Sequence, residues 1–290
     1  MPPSVRSLLR IPAAAAALWA LAGACGGAAW AEGPLPFRVG ERLTFSVTWF
    51  GIPAGTSELS VAGRTTYAGT PVFRLTSTAR SNEVFSLFYP VDDRFESFWD
   101  PAKGHPLYYW LRQREGSYRS WKRVVLDQES NLAFYKRNRE PAWGYVIRYG
   151  VQDALSSLYK LRALPGEVGA GSRVRVLAFA SKKNWETEVR VEARETLRTA
   201  WGEIPTLRVR PRIAYAEGPF RRKGEVLFWA TADRYRIPVR MTSAVMVIGR
   251  VTASLTDAQG IAEDSLLAEA IRRAKDGRSQ ARAAPITSKR

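Results

Sequence analysis

The sequence predicts an all-β fold, mainly antiparallel: a curved sheet, half-barrel or barrel-like sandwich with two short helical segments and a C-terminal helical and disordered tail. Three observations predict it. Apolar residues recur with period two, as where Leu43, Phe45, Val47 and Trp49 alternate with Arg42, Thr44, Ser46 and Thr48, which turns one face of the strand inward. Gly, Pro, Asn and Asp punctuate these runs at short intervals, and no long helices alternate with them, which argues against a parallel α/β sheet. At 290 residues, 46% hydrophobic and 11% aromatic, the chain has the material for a packed core and is neither disordered nor collagen-like.

Residues 1–31 read as an export signal. Arg6 and Arg10 precede an apolar run from Ile11 to Ala24, too short for a membrane anchor, and Ala29-Trp30-Ala31 offers a cleavage site before Glu32. The only cysteine, Cys25, follows Leu21-Ala22-Gly23-Ala24, a loose lipobox. A lipoprotein signal over residues 1–24, with Cys25 as lipid anchor, therefore stays open as the alternative. The expected location is the periplasm, or the outer membrane if Cys25 is lipidated. A mature chain without thiols suits an oxidising compartment.

Residues 35–257 read as a single β-rich domain. Gly51-Ile52-Pro53-Ala54-Gly55 is expected to turn the chain after the first strand, ahead of a second at 56–62. Gly63, Gly69 and Pro71 then lead to a strand at 72–78. Ser81-Asn82 caps a helical turn carrying Val84, Phe85, Leu87 and Phe88, with Pro90 as its stop. Strands follow near 94–99, 107–114, 118–127 and 132–136. A second helical segment spans 152–162, where Val151, Ala154, Leu155, Leu158, Tyr159 and Leu161 share a stripe. Six further strands lie near 173–180, 185–196, 206–213, 224–230, 237–243 and 246–255. In the tail, 258–290, a short helix over 261–275 precedes a basic stretch from Gly277, expected to be disordered.

Composition narrows the chemistry. One His and one Cys exclude a Cys/His zinc site, a c-type haem and a disulfide framework, and leave His105 as the single imidazole for any triad. His105 itself reads as a surface loop residue. Ser81, Ser156 and Ser157 lack a nucleophile elbow, and Gly166, Gly169 and Gly171 lack the Lys-Ser/Thr ending of a phosphate loop. No metal or cofactor is expected. Asp92, Asp93, Glu96 and Asp100 form the densest acidic cluster. It reads either as a turn paired with arginines or, through Asp92, Asp93 and Glu96, as the acid–base set of a glycan-acting hydrolase.

The charge balance says more. Forty-four Lys and Arg against 27 Asp and Glu give +17, and +15 once Arg6 and Arg10 leave with the signal. Arg208, Arg210 and Arg212 share one strand face; together with Arg221, Arg222 and Lys223 they form a candidate anionic head-group site. Phe85, Leu87, Phe88, Leu155, Leu158 and Tyr159 are candidates for a lid over an apolar cavity, or else for plugs in the barrel ends. The expected function is non-enzymatic: binding of an amphipathic or anionic envelope component, whether lipid, lipopolysaccharide or acidic glycan, in a β concavity. A structural or assembly factor that binds envelope proteins is the alternative beside the hydrolase. Export argues against nucleic acid as a partner.

An ordered set of motifs accompanies this pattern. It begins with Val39-Gly40-Glu41-Arg42-Leu43-Thr44-Phe45 and Gly51-Ile52-Pro53-Ala54-Gly55-Thr56. Ala79-Arg80-Ser81-Asn82, Phe88-Tyr89-Pro90-Val91-Asp92-Asp93 and Gln152-Asp153-Ala154-Leu155-Ser156 follow. Lys223-Gly224-Glu225 and Arg236-Ile237-Pro238-Val239-Arg240-Met241 complete it. Over about Phe37 to Leu255 the chain resembles the exported bacterial proteins of domain-of-unknown-function family 3108 (DUF3108). The resemblance implies export and a single β-rich domain, and supplies no catalytic residues.

Overall fold

The computed structural model describes residues 34–212, 225–245 and 249–283. The signal, Cys25 and Arg221, Arg222 and Lys223 lie outside them. The first half of the sheet comprises β1 (Arg42–Trp49), β2 (Ile52–Tyr67), β3 (Thr70–Ser81), β4 (Asp92–Asp100), β5 (His105–Glu115), β6 (Tyr118–Asp127), β7 (Leu132–Arg137) and β8 (Trp143–Val146). The second half comprises β9 (Arg173–Ala180), β10 (Lys183–Thr199), β11 (Gly202–Arg212), β12 (Glu225–Thr231), β13 (Pro238–Val245) and β14 (Gly249–Gln259). Three helices accompany them: α1 (Glu83–Ser86) between β3 and β4, α2 (Ala154–Arg162) between β8 and β9, and α3 (Leu266–Ala283) after β14.

All fourteen strands belong to one sheet, ordered β8 back to β1 and then β14 back to β9. Each half is an antiparallel meander, and β1 pairing with β14 joins the two. The free edges, β8 and β9, are thus neighbours in sequence, and the sheet curls until they approach. The segment that follows β8 bridges to β9 at Gln152: its N–H donates to Leu177 O (2.7 Å) and its carbonyl accepts from Phe179 N (2.8 Å). Asn184 Nδ2 adds a bond to Val146 O (2.8 Å). These contacts protect edges that otherwise present unpaired backbone groups. The expected curved, barrel-like β-sheet is what forms.

A large apolar core packs inside the curve among the described residues. Asp153 caps α2 by accepting from Leu155 N and Ser156 N, while Ser156 Oγ accepts from Asp153 N, a complete capping box. The helix so started carries Leu155 and Tyr159 into the core beside Phe37, Phe45 and Trp99. The Phe37 ring meets Tyr159 at 4.9 Å and Trp99 at 5.6 Å. Beneath the C-terminal end of α2, only about 40 Å³ of open space remains, among Leu158, Leu164, Val168, Phe228 and Pro238. Pockets for small ligands run to about 300–1,000 Å³. Leu155 and Tyr159 are buried in the core and Leu158 packs against it, so at this point α2 fills the concavity as a plug.

Local expectations change at five places. The first turn is only Phe50 and Gly51, both at positive φ (50° and 84°), as a two-residue hairpin turn demands, and Ile52 to Gly55 already belong to β2. Gly55 serves close approach instead: a Cβ there would sit 2.0 Å from Arg80 O of β3. Gly55→Ala should cost about 1–3 kcal/mol by forcing β2 from β3, read as a lower urea midpoint. Gly63 lies inside β2 at a bulge rather than ending it. His105 begins β5 and is buried, its ring 5.3 Å from that of Tyr149, so it is no surface loop residue. Trp143–Val146 adds an unforeseen edge strand.

The fifth difference is the tail. The helix expected over 261–275 starts at Leu266, where Ser265 Oγ accepts from Ala268 N, and it runs on to Ala283, through the stretch expected to be disordered. Arg278, Gln280, Ala281, Arg282 and Ala283 all favour helix, and one Gly277 costs only about 1 kcal/mol. Leu267 and Ala270 are buried, and α3 packs on β11.

Candidate functional site

The most distinctive surface lies on the outward face of β4, β5 and β6. Alternation in β5 sends Tyr109, Gln113 and Glu115 inward, and Tyr108, Trp110, Arg112 and Arg114 outward. Register then sets residues opposite one another across β5 and β6: Trp110 faces Arg123, Arg112 faces Trp121, and Arg114 faces Arg119. The result is a checkerboard of indole and guanidinium groups ending in a like-charged pair, a juxtaposition that costs stability in a bare sheet. Residues Asn138 to Glu140, after β7, fold over it, held by reciprocal bonds of 2.9 Å between Asn138 and the Trp121 backbone. Between them lies an open groove of about 1190 Å³.

Its charges are only partly answered. Asp92 serves three arginines: Arg112 at 2.9 Å, Arg80 at 3.6 Å and Arg114 at 3.7 Å. Glu96 accepts from Arg94 Nε (3.0 Å) and Trp110 Nε1 (3.2 Å). Arg119 donates to the Gly116 and Tyr118 carbonyls, and Arg123 stacks 5.2 Å from the Trp121 ring. Neither of those arginines has its charge cancelled by these contacts. At the lower end Tyr108 stacks on Tyr67 at 5.4 Å, extending the aromatic floor. Burial pushes both phenols up, so they remain neutral donors. Ring faces flanked by planar, bidentate donors suit a sugar that carries phosphate or carboxylate.

The acidic cluster does not converge. Asp92 and Glu96 point outward with their arginines, whereas Asp93, one residue on, points inward. Asp100 accepts from Ala102 N and Lys103 N, tying the β4–β5 turn. The sheet thus separates Asp93 from Asp92 and Glu96, and the hydrolase set fails on geometry. Asp93 instead meets Glu115, a residue absent from the sequence reading. Its Oδ1 accepts from Arg114 N (2.8 Å); burial pushes the carboxyl up, while Glu115 and that N–H pull it partway back. Gln113 links Glu115 to Lys122, itself lowered by burial.

The other expected residues scatter. Arg208 pairs with Glu192 (3.2 Å) and Glu195 (3.0 Å), and Arg210 pairs with Glu192. The Arg210 guanidinium, with Arg208 beside it, holds the Glu192 carboxyl below its usual range. That stripe is largely neutralised within the sheet, leaving Arg212 exposed at the end of β11. Phe85 rests on Trp49 at 5.6 Å, while Leu87 and Phe88 are exposed. Ser81 bonds Ser86 and Val91 N, and Ser156 and Ser157 bond the Asp153 backbone. Among the described residues no three or more His, Cys, Asp or Glu side chains gather as a metal site, and no helix is long and apolar enough to cross a membrane.

The groove residues span a hairpin, Trp110-Leu-Arg-Gln-Arg-Glu-Gly-Ser-Tyr-Arg-Ser-Trp-Lys-Arg123, whose period-two Arg and Trp positions were visible in sequence. A family model described as protein of unknown function (DUF3108) matches residues 44–256, from β1 to β14. The chain belongs to the DUF3108 family. Both groove strands lie within this DUF3108 span. No curated protein matches the sequence. Among solved structures, the DUF3108 chain is similar to a β-barrel-like protein of domain of unknown function DUF1849 from Brucella abortus. That pair shares 11% identity and a TM-score of 0.52, over 77% of this chain and 98% of that one, a likeness of fold. A protein with a YmcC-like fold from Bacteroides fragilis matches at 10% identity and a TM-score of 0.29, over 77% of this chain and 97% of that one.

Proposed function

We propose that the protein is a non-catalytic envelope protein, exported by its N-terminal signal, that binds an anionic sugar-bearing component on the outer face of β4 to β6. The ligand chemistry is a saccharide carrying phosphate or carboxylate, as in a glycolipid head or an acidic glycan. The observation that carries this reading is the alternation of Trp110, Arg112, Trp121 and Arg123 around an open groove. The packed core around α2 supports a site on the outer surface of the sheet. It also favours a second reading, an assembly factor that holds envelope proteins, yet the surplus of arginine over carboxylate in the groove selects an anionic partner.

The test is calorimetry of the mature chain with a panel of phosphorylated and carboxylated oligosaccharides. Arg112→Glu/Arg123→Glu should weaken binding about a hundredfold, and Trp121→Ala about tenfold, with unchanged thermal unfolding. Binding should fall steeply with added salt. Wild-type affinity in the double arginine variant, or no affinity in the parent for any acidic sugar, overturns the reading.

A further inference from the structure

The end of the sheet that holds the β1–β2 turn carries an apolar prominence, exposed among the described residues. Two connections build it. The turn after β1 leaves Phe50 63% and Ile52 61% exposed. The segment between β3 and β4 leaves Val84 at 69% and both Leu87 and Phe88 at 81%. Single exposed apolar residues are ordinary, but a cluster of five large ones is not.

The two connections act as one piece. Asn82 N donates to Ala54 O and Asn82 Nδ2 to Pro53 O, each at 2.9 Å. The Trp49 ring lies 5.2 Å from Phe50 and 5.6 Å from Phe85, a shared base beneath both. Asn82 Oδ1 caps α1 through Phe85 N at 2.7 Å. None of these bonds needs Leu87 or Phe88, so the fold holds the prominence rigid without calling for its outermost side chains.

Charge surrounds it. Arg80, 70% exposed at its side chain, precedes Ser81-Asn82, and the exposed Arg250 lends its carbonyl to Phe50 N (2.9 Å). Arg119 lies beyond Gly116, whose N–H donates to Pro90 O at 2.8 Å. Against these stand Glu83 on α1 and Asp92, which Arg80, Arg112 and Arg114 already share. An apolar centre within a basic rim matches the interface of an anionic bilayer, acyl chains beneath and phosphates around. A second copy of a chain with a formal charge of +17 would bring two basic rims face to face instead.

We propose that this prominence docks the protein on an anionic membrane, seating Phe50, Ile52, Val84, Leu87 and Phe88 at the acyl boundary and Arg80 and Arg250 at the phosphates. The proposal goes beyond sugar binding in the groove and stands without it.

The test uses the full chain with Cys25→Ser, which removes any lipid anchor and the only thiol. Leu87→Cys then takes a polarity-sensitive fluorophore, with Ala102→Cys at the opposite end as control. Vesicles of phosphatidylglycerol and phosphatidylcholine should blue-shift the label at 87 and expose it to lipid-borne quenchers, and leave the label at 102 unchanged. Pure phosphatidylcholine should bind far less. In sedimentation, Leu87→Asp/Phe88→Asp should lower binding to the anionic vesicles about tenfold or more. No shift at 87 while the protein sits on vesicles overturns the proposal. So does a shift without vesicles, accompanied by dimer or by release on deleting residues 1–31, since a second copy or the N-terminal segment would then be the occupant. Arg112→Glu/Arg123→Glu should leave the depth of the label at 87 unaltered, so loss of sugar binding and loss of docking are separate results.

Discussion

Arg162→Met should lower the unfolding free energy by about 3–5 kcal/mol, among the largest single losses available in this protein. Arg162 and Glu41 are both about 2% exposed. Two bonds join them, Nη1 to Oε1 and, at 2.9 Å, Nη2 to Oε2. The guanidinium also donates to Tyr235 O (3.1 Å) and lies over the Phe37 and Tyr159 rings. It thus ties the end of the α2 plug to the start of β1 and to the β12–β13 turn. Removing the cation leaves the Glu41 carboxyl buried without its partner, which is where the cost arises. Glu41→Leu should cost a similar amount for the mirrored reason. The double variant Glu41→Leu/Arg162→Met should be about 2 kcal/mol or more stabler than either single one, because two buried charges vanish together. Urea unfolding of the four proteins at neutral pH measures the cycle. Strictly additive losses would mean that the pair is not the source of the penalty.

The same logic runs through the motifs that carry the family resemblance. Glu41 holds Arg162, Gly55 admits the β3 backbone, Gln152 closes the seam between β8 and β9, and Asp153 starts the plug. Arg236 donates to the carbonyls of Arg162, Leu164 and Gly166, pinning the exit of α2. These are joints of the fold, and they lie away from the groove on β4 to β6. The outer face of β4 to β6 is free to vary without disturbing this frame.

Most of the sheet was legible because each long strand buries one face, and period-two alternation is the direct mark of that. β8 escaped for the converse reason: Trp143 and Val146 are exposed on a short edge strand, so burial leaves no pattern to read. Gly55 looked like turn chemistry because spacing alone does not distinguish a turn glycine from one that admits a neighbouring backbone. The opposite facing of Asp92 and Asp93 follows from adjacency once both belong to β4. The Glu115 contact needed the pairing of β4 with β5, which neither strand encodes alone. The groove lay in the same gap. Its arginines and tryptophans were in view, but what makes them a site is which ones face each other across β5 and β6.

Asp153→Asn should stabilise the protein by about 3 kcal/mol at neutral pH and change little near pH 4. The wild-type carboxyl is fully buried. It accepts from Ser97 Oγ, Leu155 N and Ser156 N, each of them a neutral donor. Burial dominates, pushing Asp153 up to about 6 against the pull of those bonds. An unfolded aspartate releases its proton near 3.9. A folded value above the unfolded one means that the folded form binds the proton more tightly. This contribution to stability is complete below about pH 4 and is lost as the pH rises through about 6. Asparagine retains the oxygen that caps α2, since Asn and Asp cap alike, and its amide nitrogen donates to Ser97 Oγ in place of accepting from it. It therefore removes the charge and keeps the joint. Thermal unfolding of both proteins from pH 4 to 8 checks this: the curves should coincide at the acid end, part as the pH rises above about 4, and keep a constant gap above about 6. Parallel curves would assign the acid dependence elsewhere, with the Asp93–Glu115 pair the next to examine, because Asp93 is raised by burial as well. Asp153→Ala separates cap from charge, since it removes both and should be the least stable of the three at pH 4, where the carboxyl is neutral and only the lost bonds count.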